Sequence, residues 1–312
     1  MTDDNACKKA KIEEPVTSQW KITFDQTQGL RTLVEVVGNI LKSINFRIEY
    51  DENRGKTHFL CIDSVDPKQV CMIQARMSCE KAQIAQGADN AFCVDSSIFN
   101  LILKNVQPHY SLEMEKFTNS ADIVVRAYEA LSSSHSTRYE LPTLVDESMS
   151  MNLDEMLYKY TVEIDLVTLR QIVKMSRELQ ADNLNFSVRQ PVAQESGTLH
   201  STLTIACKGE TGASQAHSFL STTVVQEASD ACVITAVTDA AVQDCVDSFK
   251  EDCAEVYRGS FATDYLGLFL KSMERSIITM KLSEDKPLLL RYPLGADTSY
   301  ICFVLARKNG DD

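Results

Sequence analysis

Arg170, Lys174 and Arg177 fall at i, i+4 and i+7, so a helix through them carries one continuous cationic stripe. Guanidinium and ammonium groups spaced a turn apart attract an extended polyanion through its phosphates, without reading its bases. A second chemistry is open to Cys71 and Cys79 with His58 earlier in the chain, as a thiol nucleophile and its base. Both cysteines sit inside apolar runs of strand type, which argues for packed thiols rather than a reactive one. The ten cysteines contain no C-x-x-C pair and the five histidines are scattered. Neither a disulfide scaffold nor a metal-ligand spacing follows, and no cofactor is expected.

The chain as a whole is acidic, with a net charge of −13 over 312 residues. Such a surface repels nucleic acid, so any polyanion site must be a local basic lining. With 44% hydrophobic and 24% charged residues the composition is that of a soluble globular protein. No apolar run approaches the roughly 18 residues of a membrane span. Residues 1–19 are polar, read as a mobile tail without a secretory signal. With reduced cysteines, the expected address is nuclear or cytoplasmic, with no membrane partner. Lys8-Lys9-Ala10-Lys11 admits a nuclear-import reading beside the commoner one of a solvated charge cluster.

The elements that must position the cations repeat one plan four times: strand, polar cap, amphipathic helix, strands. Helices are expected over residues 28–44, over 98–106 after Asp95, after Asp165 with Leu166, Leu169, Ile172 and Val173 inward, and from 264 with Leu266, Phe269, Leu270 and Met273 inward. Strands are expected at 20–24, 46–50, 57–62, 70–77, 91–94, 110–114 and 123–128. In the second half they are expected at 158–164, 184–188, 199–207, 213–221, 232–237, 255–261, 277–282, 288–292 and 301–306. Residues 132–137, rich in serine, read as a loop, and Gly209 to Gly212 as a turn. The expected fold class is α+β. Two similar domains, residues 20–142 and 158–312, would each have antiparallel sheet and two helices on one side, joined by a connector at 143–157.

Basic residues on the four helices are Arg31, Lys42, Lys104, Arg170, Lys174, Arg177, Lys271 and Arg275, against Glu35, Glu178 and Glu274. Helices sharing one side would therefore set a basic surface on an acidic body. No zinc finger or base-reading motif accompanies them, so recognition would be sequence-independent.

Several segments together resemble the eukaryotic-type DNA sliding clamps, the proliferating cell nuclear antigen family. They are Asp264-Tyr265-Leu266, Phe269, Lys271, Leu282 to Leu288, Leu305-Ala306, Phe59 to Ser64, Asp95 to Lys104, Met151-Asn152-Leu153 and Gly209 to Gly212. The likeness spans residues 20–308. It implies a non-enzymatic ring of three subunits, its helices lining a hole around duplex DNA. Such a processivity factor tethers DNA polymerase and other replication and repair proteins, and is loaded by a clamp-loader ATPase. The alternative is one subunit of a heteromeric checkpoint clamp in damage signalling. By position the resemblance puts Arg31, Lys104, Lys174 and Lys271 against DNA; the helical stripe adds Arg170 and Arg177. It implies a partner pocket of Ile62, Val70, Met72, Met151, Leu153, Pro287, Val304 and Ala306 that takes a short helical peptide. Subunits would join between the edge near Tyr139 and the edge holding Ala216 and Ser218. Gly38 stands where the family usually has a lysine, and the loop over residues 65–69 is longer than the family pattern. The expected address becomes the nucleus, or a cytoplasmic replication site for a viral member.

Overall fold

A backbone whose side chains alternate between an apolar face and a polar one is satisfied in a sheet; one with apolar residues every three or four positions is satisfied as a helix lying on it. The computed structural model describes residues 17–52, 57–129, 132–145, 157–191, 199–225, 232–235, 253–274, 277–295 and 298–308. In chain order the first half holds β1 (Ser18–Phe24), α1 (Gln28–Gly38), β2 (Ser43–Asp51), β3 (Thr57–Val65), β4 (Cys71–Ser78), β5 (Lys81–Ile84), β6 (Ala91–Asp95), α2 (Ser96–Lys104), β7 (Ser111–Phe117), β8 (Asp122–Glu129) and β9 (Ser132–Leu144). The second half holds β10 (Tyr160–Asp165), α3 (Leu166–Glu178), β11 (Asn183–Pro191), β12 (Leu199–Lys208), β13 (Ser214–Val225), β14 (Cys232–Thr235), β15 (Cys253–Ala262), α4 (Thr263–Leu270), β16 (Ile277–Leu282), β17 (Leu288–Pro293) and β18 (Tyr300–Leu305). Among the described residues the two halves have the same order of elements.

Their pairings match as well. In the first half β1 pairs with β7, β7 with β8, β8 with β9, β2 with β6 and β3, and β3 with β4. In the second, β10 pairs with β16, β16 with β17, β17 with β18, β11 with β15 and β12, and β12 with β13. Three pairings differ among the described residues: β5 runs antiparallel to β1 whereas β14 runs parallel to β10, and β6 with β9 and β13 with β14 pair without a counterpart in the other half. The halves join where β4 pairs antiparallel with β18, Ile73 opposite Phe303 and Ala75 opposite Ile301. Among the described side chains, one face of the sheet meets the helices in a core that contains Trp20, Phe46, Phe99, Phe186, Phe261, Phe269 and Phe303. Phe269 of α4 stacks on Phe303 of β18 at 4.5 Å between ring centroids, so the joint between halves is part of the core.

Three expectations are corrected. The first helix ends at Gly38, where the Asn39 amide closes a tight last turn on the Glu35 and Val36 carbonyls. The alternating Ile44, Phe46 and Ile48 then need a strand to reach the core. Residues 132–137 belong to β9, because their backbone pairs with β8, Ser136 opposite Tyr128 and Thr137 opposite Ala127. A ladder of backbone hydrogen bonds overrides the turn preference of serine. The strand β5 was not expected because its alternation, Lys81-Ala82-Gln83-Ile84, is only four residues long; it lies along Trp20 to Thr23 as an added outer strand. The turn at Gly209 stands as expected: any Cβ there would lie 2.0 Å from the Leu179 carbonyl oxygen at the end of α3, and Gly212 has φ +84°.

Candidate nucleic-acid interface

The four helices of the described residues form one layer. α1 packs against α2, α3 against α4, and α1 also touches α4 across the joint between halves. That last contact is tied by side chains: the Asn39 amide donates to Ser272 Oγ at 3.1 Å, and the Gln28 amide to Glu274 Oε1 at 2.6 Å. The row is therefore α2, α1, α4, α3. Local chemistry sets each start. Asp95 accepts from the Ser97 and Ile98 amides to cap α2, and Asp165 accepts from the Thr168 amide to cap α3. α4 follows Ala262 without a side-chain cap, and Asp264 in its first turn instead pairs with Arg177 of α3 at 3.3 Å.

The layer carries the sequence-predicted cations, in four different situations. Lys104, in the last turn of α2, and Lys271, just past α4, are exposed and make no ion pair among the described residues. Arg31 on α1 is half-buried. Lys174 and Arg177 are exposed but answered by acids: Lys174 Nζ lies 3.8 Å from Glu178 Oε1, and Arg177 has Asp264. Arg170 is held inside the layer, where its Nε donates to the Leu270 carbonyl at 3.1 Å and Nη2 to the Met273 carbonyl. It thereby takes up carbonyls that the end of α4 would leave unpaired. Arg275 lies outside the described residues. The positive charge of the face thus falls mainly on α1, α2 and the end of α4.

On the opposite face, where β4, β17 and β18 meet, Met72, Leu289, Cys302 and Val304 form a separate apolar cluster, each buried at 5–8% exposure, with the half-buried Val65, Tyr158 and Tyr300 packed at its border. Strand alternation explains it: Ile301, Phe303 and Leu305 point to the helices, so Cys302 and Val304 point away. Burial pushes the Tyr158 phenol up to about 12. Pro287 is half-buried and Ala306 exposed; the Ala306 amide donates to the Val70 carbonyl at 2.9 Å. Two of the expected pocket residues are placed differently. Ile62 is wholly buried on the helix side of β3, and Val70 packs against that same core. On β3 it is Val65 that borders the outer patch. Met151 and Leu153 lie outside the described residues. Leu289 and Tyr158 join this cluster without having been expected there.

The thiol chemistry finds no support. Cys71 and Cys79 are buried; burial, then the Asp66 carboxylate, raises the Cys71 thiol, and burial lifts Cys79 to about 12. Burial lowers His58, whose ring lies 4.9 Å from that of Tyr50. Thiols so placed stay protonated. Among the described residues no cluster of side chains could hold a metal ion, and no helix is long and apolar enough to cross a membrane.

The edges expected to join subunits are open. From Ser132 to Pro142, β9 has β8 as its only strand neighbour among the described residues, and from Ser214 to Thr222, β13 has only β12. Tyr139 is half-buried against the core, Ala216 is exposed, and Ser218 Oγ lies 3.1 Å from Thr204 Oγ1.

No protein-family model matches the sequence, and no curated protein matches it. Solved structures do. A PCNA from Thermococcus kodakaraensis superposes with a TM-score of 0.66 at 14% identity, over 93% of this chain and 100% of that one. A proliferating cellular nuclear antigen from Entamoeba histolytica gives 0.67 at 13% identity, over 94% and 100%. With two like-ordered halves, one layer of helices and this likeness over nearly its whole length, the chain has the PCNA clamp fold.

Proposed function

We propose that the chain is a DNA sliding clamp. It is a non-enzymatic processivity factor that closes with two further copies into a ring around duplex DNA and tethers a polymerase and other replication or repair proteins. The observation that carries this reading is the single helix layer, which gathers Arg31, Lys104, Lys174 and Lys271 on one side of an otherwise acidic protein. Cations without base-reading groups hold phosphates in any register, so the ring can translate along any sequence. The half-buried border of the outer cluster, Val65, Tyr158 and Tyr300 over Met72 and Val304, suits an apolar helical peptide of the tethered partners.

The joint inside the chain supports the contact between copies. Asp95 before α2 and Ala262 before α4 hold equivalent places, so Ile98 and Leu101 on α2 correspond to Tyr265 and Leu268 on α4. Tyr265 is packed against the core and bonded to Asp66 of the first half, whereas Ile98 and Leu101 are 44% and 62% exposed. At the far end of the row Met175 on α3 is 45% exposed. A second copy that repeats the internal joint would bring α3 against α2 and β13 against β9, covering these residues.

The test is polymerase extension on a primed circular template with and without the protein. Replacing Lys104, Lys174 and Lys271 together with glutamate should abolish stimulation; undiminished stimulation would remove the helix layer as the DNA side. Native mass spectrometry should give three times 34.9 kDa. A chain that assembles only with different subunits would instead be part of a heteromeric clamp.

A further inference from the structure

The two equivalent joints can be compared residue by residue, because register passes from strand to strand. Ile22 pairs with Met114, which pairs with Val125, which pairs with Tyr139. In the second half Val162 pairs with Met280, then Leu290, then Phe303. Tyr139 therefore stands where Phe303 does, and Thr137 where Ile301 does. Likewise Phe46 leads through Ile62 to Ala75, and Phe186 through Ile205 to His217. His217 therefore stands where Ala75 does, and Gln215 where Ile73 does.

Within the chain, the helix-facing row of the joint is Cys71, Ile73 and Ala75 opposite Leu305, Phe303 and Ile301. Transferred to the contact between copies, the same row reads Ala213, Gln215 and His217 opposite Leu141, Tyr139 and Thr137. A wholly apolar seam in one place becomes a polar one with an imidazole in the other. We infer that the seam between copies is the weak joint of the ring, closed while His217 is neutral and opened by its protonation. This rests on the ring reading above.

Among the described residues no carboxylate pairs with His217. β12 places Ile205 directly opposite, and Gln215 on the same strand hydrogen-bonds the His217 ring while its amide also reaches Met175 Sδ of α3 at 3.5 Å. The charged groups flanking Met175 are Lys174 and Glu178, which are bridged to each other. On the neighbouring copy's β9 the described side chains of the facing row, Thr137, Tyr139 and Leu141, include one titratable group, the Tyr139 phenol; Arg138 and Glu140 alternate to the other face, since Leu141 is buried in the core. Burial already lowers His217 in the single chain. Pairing with β9 removes more water, so the ring binds protons less well than the open chain. Assembly is then complete above the ordinary imidazole range near 6.5 and is lost as pH falls below it. Three seams per ring make the loss steep.

The experiment is sedimentation of the full chain at pH 8.0 and pH 5.5, beside His217→Ala, which restores the residue of the internal joint, and His217→Gln. The wild type should be trimeric at pH 8.0 and shift to monomer at pH 5.5, with at least a tenfold weaker association. Both variants should stay trimeric at both pH values. A wild-type trimer that persists unchanged at pH 5.5, or variants that dissociate with it, overturns the histidine seam and leaves the ring standing. A wild type that is monomeric at both pH values overturns the ring, and the seam with it.

Discussion

The Tyr265 hydroxyl donates to Asp66 Oδ2 at 2.9 Å, tying α4 of the second half to the β3–β4 turn of the first. The same carboxylate accepts from the amides of Val70 and Cys71, both at 2.7 Å, and of Lys68 at 3.1 Å. Gln69, at φ +56°, lets the turn fold back around it. The loop over residues 65–69 is thus wound on an anion that also holds the two halves together.

Asp66 should make the chain acid-sensitive. Burial pushes its carboxyl up, but hydrogen bonds from Cys71, Tyr265, Val70 and Lys68 more than offset this, and it lies below its ordinary range. A depressed folded value contributes stability that is full above about pH 4 and is lost as pH falls through the folded value. Asp66→Asn should cost about 1–3 kcal/mol at pH 7, and Tyr265→Phe about 1 kcal/mol. Urea unfolding at pH 7 and pH 3.5 checks both: the Asp66→Asn deficit must shrink at the lower pH.

The cations of the helix layer should not contribute equally to DNA binding. Lys104→Ala or Lys271→Ala should each lower the slope of log affinity against log salt by about 1. Lys174→Ala should do less, because Glu178 already answers that charge. Arg170→Ala should mainly lower thermal stability, since its donors serve the α4 carbonyls. Equal slopes for Lys104→Ala and Lys174→Ala would show that the ion pair opens when DNA arrives.

The transferred register puts Arg138 of one copy opposite Ala216 of the next. Facing positions of an antiparallel pair have Cα atoms about 4.5–5.5 Å apart, within disulfide reach. Arg138→Cys with Ala216→Cys should therefore give oxidised trimers on a denaturing gel, and Arg138→Cys with Ser214→Cys far fewer. Tyr139→Ala should shift the assembly toward monomer in sedimentation.

The outer patch should bind a short helical peptide with aromatic anchors. Met72→Ala trims that patch without adding charge and should weaken binding by about tenfold, roughly 1.4 kcal/mol, while the mass of the assembly stays the same. Unaltered peptide affinity by calorimetry would move the site elsewhere.

Most of the fold was legible in the sequence because helix and strand periods are written in which residues must be buried. Ile277–Leu282 has the bounds expected for it, and Asp95 and Asp165 cap as their residue types promised. Legibility failed where pairing rather than pattern decides. The serines of β9 gain their strand from β8, and β5 gains its own from β1. For the site, charge counting found the cationic layer but could not see that Arg170 turns inward or that Asp264 meets Arg177. Ile62 shows the same limit from the other side, because one position along a strand separates an outer surface from the core.

The pairing of β4 with β18 has a cost during synthesis. Residues 71–78 leave the ribosome more than two hundred residues before residues 300–305 do. Until then the nascent chain carries an uncovered, apolar strand margin holding Cys71, Ile73 and Ala75. At translation speeds of about 5–20 residues per second, that margin stays bare for roughly ten to fifty seconds. Chaperone protection of the nascent chain should matter most in this window.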